Sequence, residues 1–93
     1  MRTIRRTKAF KRDYKCEKKG RHSKTLDAEL IEVVTLLIAD QPLSERYHDH
    51  VLVGAWNDHR DCHIKPDLVL IYRKAEDDTL DLVRMGSHSE LGL

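Results

Sequence analysis

The sequence predicts an α+β fold: an N-terminal antiparallel helix pair packed on a small, mainly antiparallel β-sheet. Three observations carry this. The first forty of the 93 residues space their apolar and basic side chains three and four apart, as helices do. Beyond residue 50 the period changes to short β-branched runs and alternation. The two kinds of element are segregated along the chain rather than interleaved. The length suits one domain over residues 1–93.

Met1 to Ile4 is read as a short first strand. Lys8 to Lys19 is read as a helix, because Lys8, Lys11, Arg12, Lys15, Lys18 and Lys19 fall on a stripe about 120° wide at 100° per residue. Phe10 and Tyr14 lie four apart and off that stripe, so they are the expected core anchors. Gly20 is expected to end the helix as a left-handed cap. Ser23 or Thr25 would cap a second helix running to about Asp40. Leu26, Leu30, Val33, Val34, Leu37 and Ile38 give it a broad apolar face. Asp27, Glu29 and Glu32 suit its positive N-terminal end. Pro42 stops it, because proline disfavours helix in the residue before it.

Val51-Leu52-Val53 is a short β-branched segment, and Asp61-Cys62-His63-Ile64 alternates. Leu68 to Tyr72 is continuously apolar, as a central strand covered on both faces would be. Ala75-Glu76-Asp77-Asp78 is a polar turn. In the strand that follows, Leu80, Leu82 and Arg84 should share one face, with Asp81, Val83 and Met85 on the other.

Charge is nearly balanced overall, at +1, but is not evenly spread. Residues 1–24 carry eleven basic and two acidic side chains, and residues 25–93 carry six basic and fourteen acidic. An end of the fold at +9 would attract polyanions. The longest apolar run, Val33 to Ala39, is interrupted by Thr35 and is far short of the roughly 20 residues of a membrane span. No apolar core of a signal peptide follows the basic N-terminus. Cys16 and Cys62 lack metal-like or redox spacing and read as free thiols of a reducing cytoplasm.

Five of the six histidines follow residue 47: His48, His50, His59, His63 and His88, with Asp61 and Asp67 among them. Imidazole titrates near neutrality, so a pair of histidines can take one proton and give another. Cleaving RNA through its own 2′-hydroxyl needs such a pair, and a cation for the phosphate. Arg84 or Arg60 could supply the charge. Two plainer readings compete: surface histidines on loops, and a metal site at His48-x-His50 or His59-x-Asp61-x-His63. No closed ligand set with familiar spacing is present. The basic helix has its own plain reading, as a solvated face.

Four segments carry a resemblance. They are Tyr47-His48-Asp49-His50-Val51-Leu52-Val53-Gly54-Ala55-Trp56; Arg60-Asp61-Cys62-His63-Ile64-Lys65-Pro66-Asp67; Leu70-Ile71-Tyr72-Arg73; and Arg84-Met85-Gly86-Ser87-His88-Ser89-Glu90-Leu91. In this order and spacing they resemble the YafQ-type toxins of the RelE/ParE superfamily. The resemblance implies a RelE-like fold and the toxin of a type II toxin–antitoxin pair. It also implies an endoribonuclease that cuts translated messages in the ribosomal A site without a metal or other cofactor. The family's activity residues match His50, His63, Asp67 and His88, with Asp61 and Arg84 at the corresponding acidic and arginine positions.

The resemblance further implies an acidic antitoxin as partner, with the chain monomeric when free and part of a higher-order complex when bound. Ribosomal RNA would meet the basic stripe. No membrane partner is expected. The gyrase-directed, non-enzymatic ParE branch is the alternative, and its members lack the histidine set. The chain departs from the pattern at Asp58, Leu68 and Met85, and at Gly92, where a terminal aromatic is usual.

Overall fold

In a computed structural model describing residues 1–20, 22–76 and 78–93, the chain runs β1 (Thr3–Arg6), α1 (Lys8–Lys18), α2 (Leu26–Ile38), β2 (His50–Val51), β3 (Arg60–Lys65), β4 (Leu68–Lys74), β5 (Thr79–Gly86) and α3 (His88–Leu91). Single 3₁₀ turns lie at Glu45–Tyr47 and Gly54–Trp56. The five strands form one sheet in the order β1-β5-β4-β3-β2. β1 joins β5 in parallel, and the other pairs are antiparallel. The fold is the expected α+β arrangement.

α1 begins at Thr7, whose hydroxyl accepts the Phe10 N–H at 3.0 Å and donates to the Val83 carbonyl at 2.7 Å. One side chain therefore caps the helix and ties it to β5. Phe10 is buried and Tyr14 packs beside it, so the two anchors sit as expected. The Tyr14 hydroxyl and the Lys18 ammonium both bind Asp27, which holds α2 against α1. Leu26, Leu30, Val33, Val34 and Leu37 are buried under the sheet with Cys62, Ile64, Leu68, Leu70, Tyr72, Leu80, Leu82 and Met85. Ile38 packs at the edge of this core. On the opposite face a smaller cluster joins Val69, Ile71 and Leu91 with Leu52, Trp56 and Val83. β4 is thus covered on both sides, and Leu68 to Tyr72 are all buried. Truncating Leu70 to alanine there would cost about 2–5 kcal/mol.

Four local expectations need correction. Gly20 is not a left-handed cap: α1 ends at Lys19 in a right-handed conformation, with the Lys19 N–H on the Cys16 carbonyl and the Gly20 N–H on the Glu17 carbonyl. Thr25 is the N-cap of α2 but makes no capping bond, because its hydroxyl accepts from Lys65 Nζ at 2.6 Å. β2 covers His50–Val51 rather than 51–53, leaving Val53 exposed. In β5, Met85 joins Leu80 and Leu82 on the helix side, because the register shifts between Ile71 and Tyr72. A bulge adds one residue to a strand and flips the alternation beyond it. Of the polar turn, Asp77 lies outside the described residues, as does Arg21; Ala75 and Thr79 close the turn at 3.1 Å.

Candidate active site

The sheet face away from α1 and α2 carries the histidines. On β3, Cys62 and Ile64 point into the main core, so Asp61 and His63 point to the other face. Their cross-strand neighbours Ile71 and Val69 form an apolar floor. β2 sets His50 opposite Asp61. The chain reverses into β2 at His48, a non-glycine residue at φ +48°. Asp49 then fastens this corner: the Tyr72 hydroxyl donates to it, and Arg60 reaches both its oxygens at 3.3 and 3.2 Å. Burial and the adjacent Asp49 push the Tyr72 phenol up, so it stays a donor.

His88 arrives from the far end of the chain. Ser87 accepts the Glu90 N–H at 3.1 Å, and Glu90 returns the bond to the Ser87 N–H at 2.9 Å. This capping box starts α3 at His88 and drives Leu91 onto Val69 and Ile71. Gly86 lets the helix fold back: a Cβ there would stand 3.3 Å from Glu90 Oε1 and 3.6 Å from the Leu91 side chain.

Three distant segments therefore converge. The His63 ring centroid is 5.2 Å from that of His48 and 4.9 Å from that of His88. His50 Nδ1 lies 2.7 Å from the His48 carbonyl, which can only accept, so Nδ1 carries the proton. The other ring nitrogen, Nε2, is 2.9 Å from Asp61 Oδ1. That oxygen is buried and has no well-aligned hydrogen bond among the described residues, so the contact is an ion-pair approach. His50 can thus take a proton at Nε2 and have it held there by the carboxylate.

Burial pushes the Asp61 carboxyl up, against the pull of positive charge on His50, His63 and His88. Burial pushes the His63 imidazole down, and repulsion from His88 adds to it while Asp61 opposes it. Burial thus favours the neutral form of His63. His59 stands apart, with its ring edge-on to Trp56 at 5.5 Å.

Two cavities meet at His63. One of about 610 Å³ is lined by Arg46, His48, Asp49, His50, His63 and Pro66. The other, of about 370 Å³, shares Arg46, His63 and Pro66 and extends past Tyr47 to His22, Lys65 and Asp67. Together they make a groove across the histidines. Asp67 stands at its far end, with Oδ1 3.1 Å from His22 Nε2. Arg46 sits 4.6 Å over the Tyr47 ring and lines both cavities.

The two arginines read from the sequence are both engaged. Arg84 forks onto Asp13 of α1 at 2.7 and 3.2 Å, and Arg60 onto Asp49. The structure thus brings together His50, Asp61, His63 and His88, places Asp67 at the groove's end and ties Arg84 to α1. It adds His48, Arg46 and His22. His48 belongs to the histidine count, but nothing in the spacing marks Arg46 or His22.

Lys8, Lys11, Arg12, Lys15 and Lys19 line a separate exposed strip and make no ion pair among the described residues. Lys18 is diverted to Asp27 at 2.9 Å. No described helix is long and apolar enough to cross a membrane. Among the described residues, Asp61, His63 and His88 can present one donor atom each within 4.8 Å of one another. One carboxylate and two imidazoles suit a borderline ion such as zinc or copper.

Comparison with known proteins places the chain in a family. Residues 2–92 match the family described as the bacterial toxin of type II toxin–antitoxin system, YafQ. A YafQ toxin of Haemophilus influenzae is 39% identical over 90 residues, 94% of this chain and 88% of that protein. The mRNA interferase toxin YafQ of Escherichia coli K12 is 45% identical over 60 residues, 63% of this chain and 64% of that one. Among solved structures, a metal-bound toxin from Helicobacter pylori superposes with a TM-score of 0.83 at 46% identity, covering 98% of this chain and 99% of the other. The E. coli DinJ–YafQ complex gives 0.79 at 34% identity, covering 98% of both. The architecture is thus the RelE-like one that the motifs implied, and the chain belongs to the YafQ family of type II toxin–antitoxin toxins.

Proposed function

We propose that this toxin is an endoribonuclease that enters the ribosomal A site and cuts the message being translated, by metal-independent acid–base chemistry. The observation that supports it is the convergence of His50, Asp61, His63 and His88 from three separate segments on one grooved face. His50 accepts the proton of the 2′-hydroxyl at Nε2, and Asp61 stabilises the imidazolium formed. The 2′-oxygen attacks the adjacent phosphorus as the bond to the 5′-oxygen breaks. His88, exposed and with its ring centroid 4.9 Å from that of His63, protonates that leaving oxygen. The products are a 2′,3′-cyclic phosphate, or its 3′-phosphate hydrolysis product, and a 5′-hydroxyl.

His63 and Asp67 orient the RNA. Arg46 faces the phosphate from the groove, and Arg84 keeps donors to spare beside Asp13. The strip Lys8, Lys11, Arg12, Lys15 and Lys19 meets ribosomal RNA phosphates, with Lys18 flanking it. An acidic antitoxin is the partner, as DinJ is of the E. coli YafQ in their solved complex. The free chain is a monomer, and toxin and antitoxin form a higher-order complex. Its place of action is the cytoplasm, where messages are translated.

The test is cleavage of a message by purified toxin with and without programmed ribosomes, with the new ends mapped. The expected result is ribosome-dependent cutting, 5′-hydroxyl ends and no effect of a zinc- and copper-selective chelator that spares the ribosome's magnesium. Equal cutting of free RNA would overturn ribosome dependence, and loss of activity on chelation would overturn the metal-free mechanism. Poisoning of DNA gyrase without message cleavage would overturn the whole reading.

A further inference from the structure

We propose that His22, in the connection between α1 and α2, is a positioning residue of this nuclease, acting through the Pro66–Asp67 turn on Asp67 and His63; this rests on the roles given to those two residues above. The His22 backbone is itself fixed. Its carbonyl accepts the Leu26 N–H at 2.9 Å and the Thr25 N–H at 3.2 Å, in the first turn of α2. Its side chain is one-fifth exposed, and Nε2 lies 3.1 Å from Asp67 Oδ1.

Asp67 is on the two-residue turn between β3 and β4, and its side chain is two-fifths exposed. Packing therefore leaves its rotamer to its polar partners, of which His22 is one. Pro66, the other turn residue, lines both cavities together with His63. A shift of this turn therefore changes the groove beside His63 as well as the place of Asp67. Lys65, one residue earlier, binds Glu29 at 2.7 Å and Thr25 at 2.6 Å. That link ties the end of β3 to the same helix start but does not reach the Asp67 carboxylate. His22 does, and it lines the same cavity as Asp67 and His63.

Misplacement of a catalytic group by about 1 Å can cost ~10²-fold in rate. His22→Ala is therefore expected to slow single-turnover cleavage at saturating ribosomes about 10- to 100-fold. Ribosome affinity and the melting temperature should be nearly unchanged. His22→Gln can place an amide nitrogen near the Nε2 position and should recover most of the rate. On an Asp67→Ala background, His22→Ala should cost nothing further, because its route to the chemistry is already cut. In ¹⁵N-histidine spectra, the His63 ring signals should move in His22→Ala and return in His22→Gln.

Full-rate cleavage by Asp67→Ala would overturn the role of Asp67, and the inference with it. A slow Asp67→Ala protein beside a full-rate His22→Ala protein would overturn the positioning of the turn by His22 alone. So would losses that multiply in the double variant, or a His22→Ala defect that glutamine fails to relieve.

Discussion

Replacing His88 with alanine separates the chemistry from the fold. The imidazole sits at the first position of α3 and is exposed. Neither support of α3 uses it: the capping box runs between Ser87 and Glu90, and the core contact is Leu91. Alanine is also the best helix former. The expected stability change is therefore within ~0.5 kcal/mol, as for surface substitutions away from special features. At roughly 4–8 °C per kcal/mol for a domain of this size, the melting temperature should move by no more than ~2–4 °C.

A leaving 5′-alkoxide is poor unless protonated as it departs, and general acid catalysis typically contributes ~10²–10⁴-fold. That corresponds to about 2.7–5.4 kcal/mol of barrier. The assay is single-turnover cleavage on programmed ribosomes beside a thermal melt, with growth arrest as the cellular readout. A large loss of rate with an unchanged melt is the expected pair of results. A His88→Ala protein within threefold of the unaltered rate would refute the assignment of the acid. An equal fall in stability would turn the defect into one of folding.

Three further outcomes follow. Changing Lys8, Lys11 and Lys15 to glutamine should lower the salt slope of ribosome binding by about 2–3, at ~0.7–0.9 per phosphate contact, with little change in the melt; an unchanged slope returns these lysines to a solvated face. Ser87→Ala breaks the capping box and should cost about 1 kcal/mol, while slowing cleavage because α3 carries His88; a chemical melt and the cleavage assay measure both. Asp40 is held down to about 2 by Arg2 and Lys74. Its folded value lies below the ordinary 3.8, so its contribution is present above pH ~4 and lost as pH falls towards 2. Asp40→Asn should therefore weaken the protein at pH 6 and differ little from it near pH 2, as denaturant melts at the two pH values would show.

Much of this protein is determined within short stretches of sequence. The basic stripe and the Phe10–Tyr14 pair follow from helical period alone, and both survive in the structure. The apolar run Leu68 to Tyr72 reads as a strand covered on two sides, and it is one. The four motifs named the residues of the histidine face because each motif is contiguous. No third helix is expected from the sequence, although Ser87-x-x-Glu90 is the capping-box pattern that starts α3 in the structure.

What tertiary structure alone decided is which charges are spent and which groups meet. The alternation in β5 fails at Met85 because a bulge depends on pairing with β4, which one strand does not encode. Arg84 and Arg60 have the chemistry for phosphate, but Asp13 and Asp49, 71 and 11 residues away, claim their forks. Arg46, adjacent to no other basic residue, lines both cavities because the 3₁₀ turn Glu45–Tyr47 sets it between them, with Glu32 3.6 Å away. His22 reaches Asp67 across the helix connection. Periodicity and motifs report forces between near neighbours in sequence, whereas ion pairs and clefts depend on where the packed core brings distant segments.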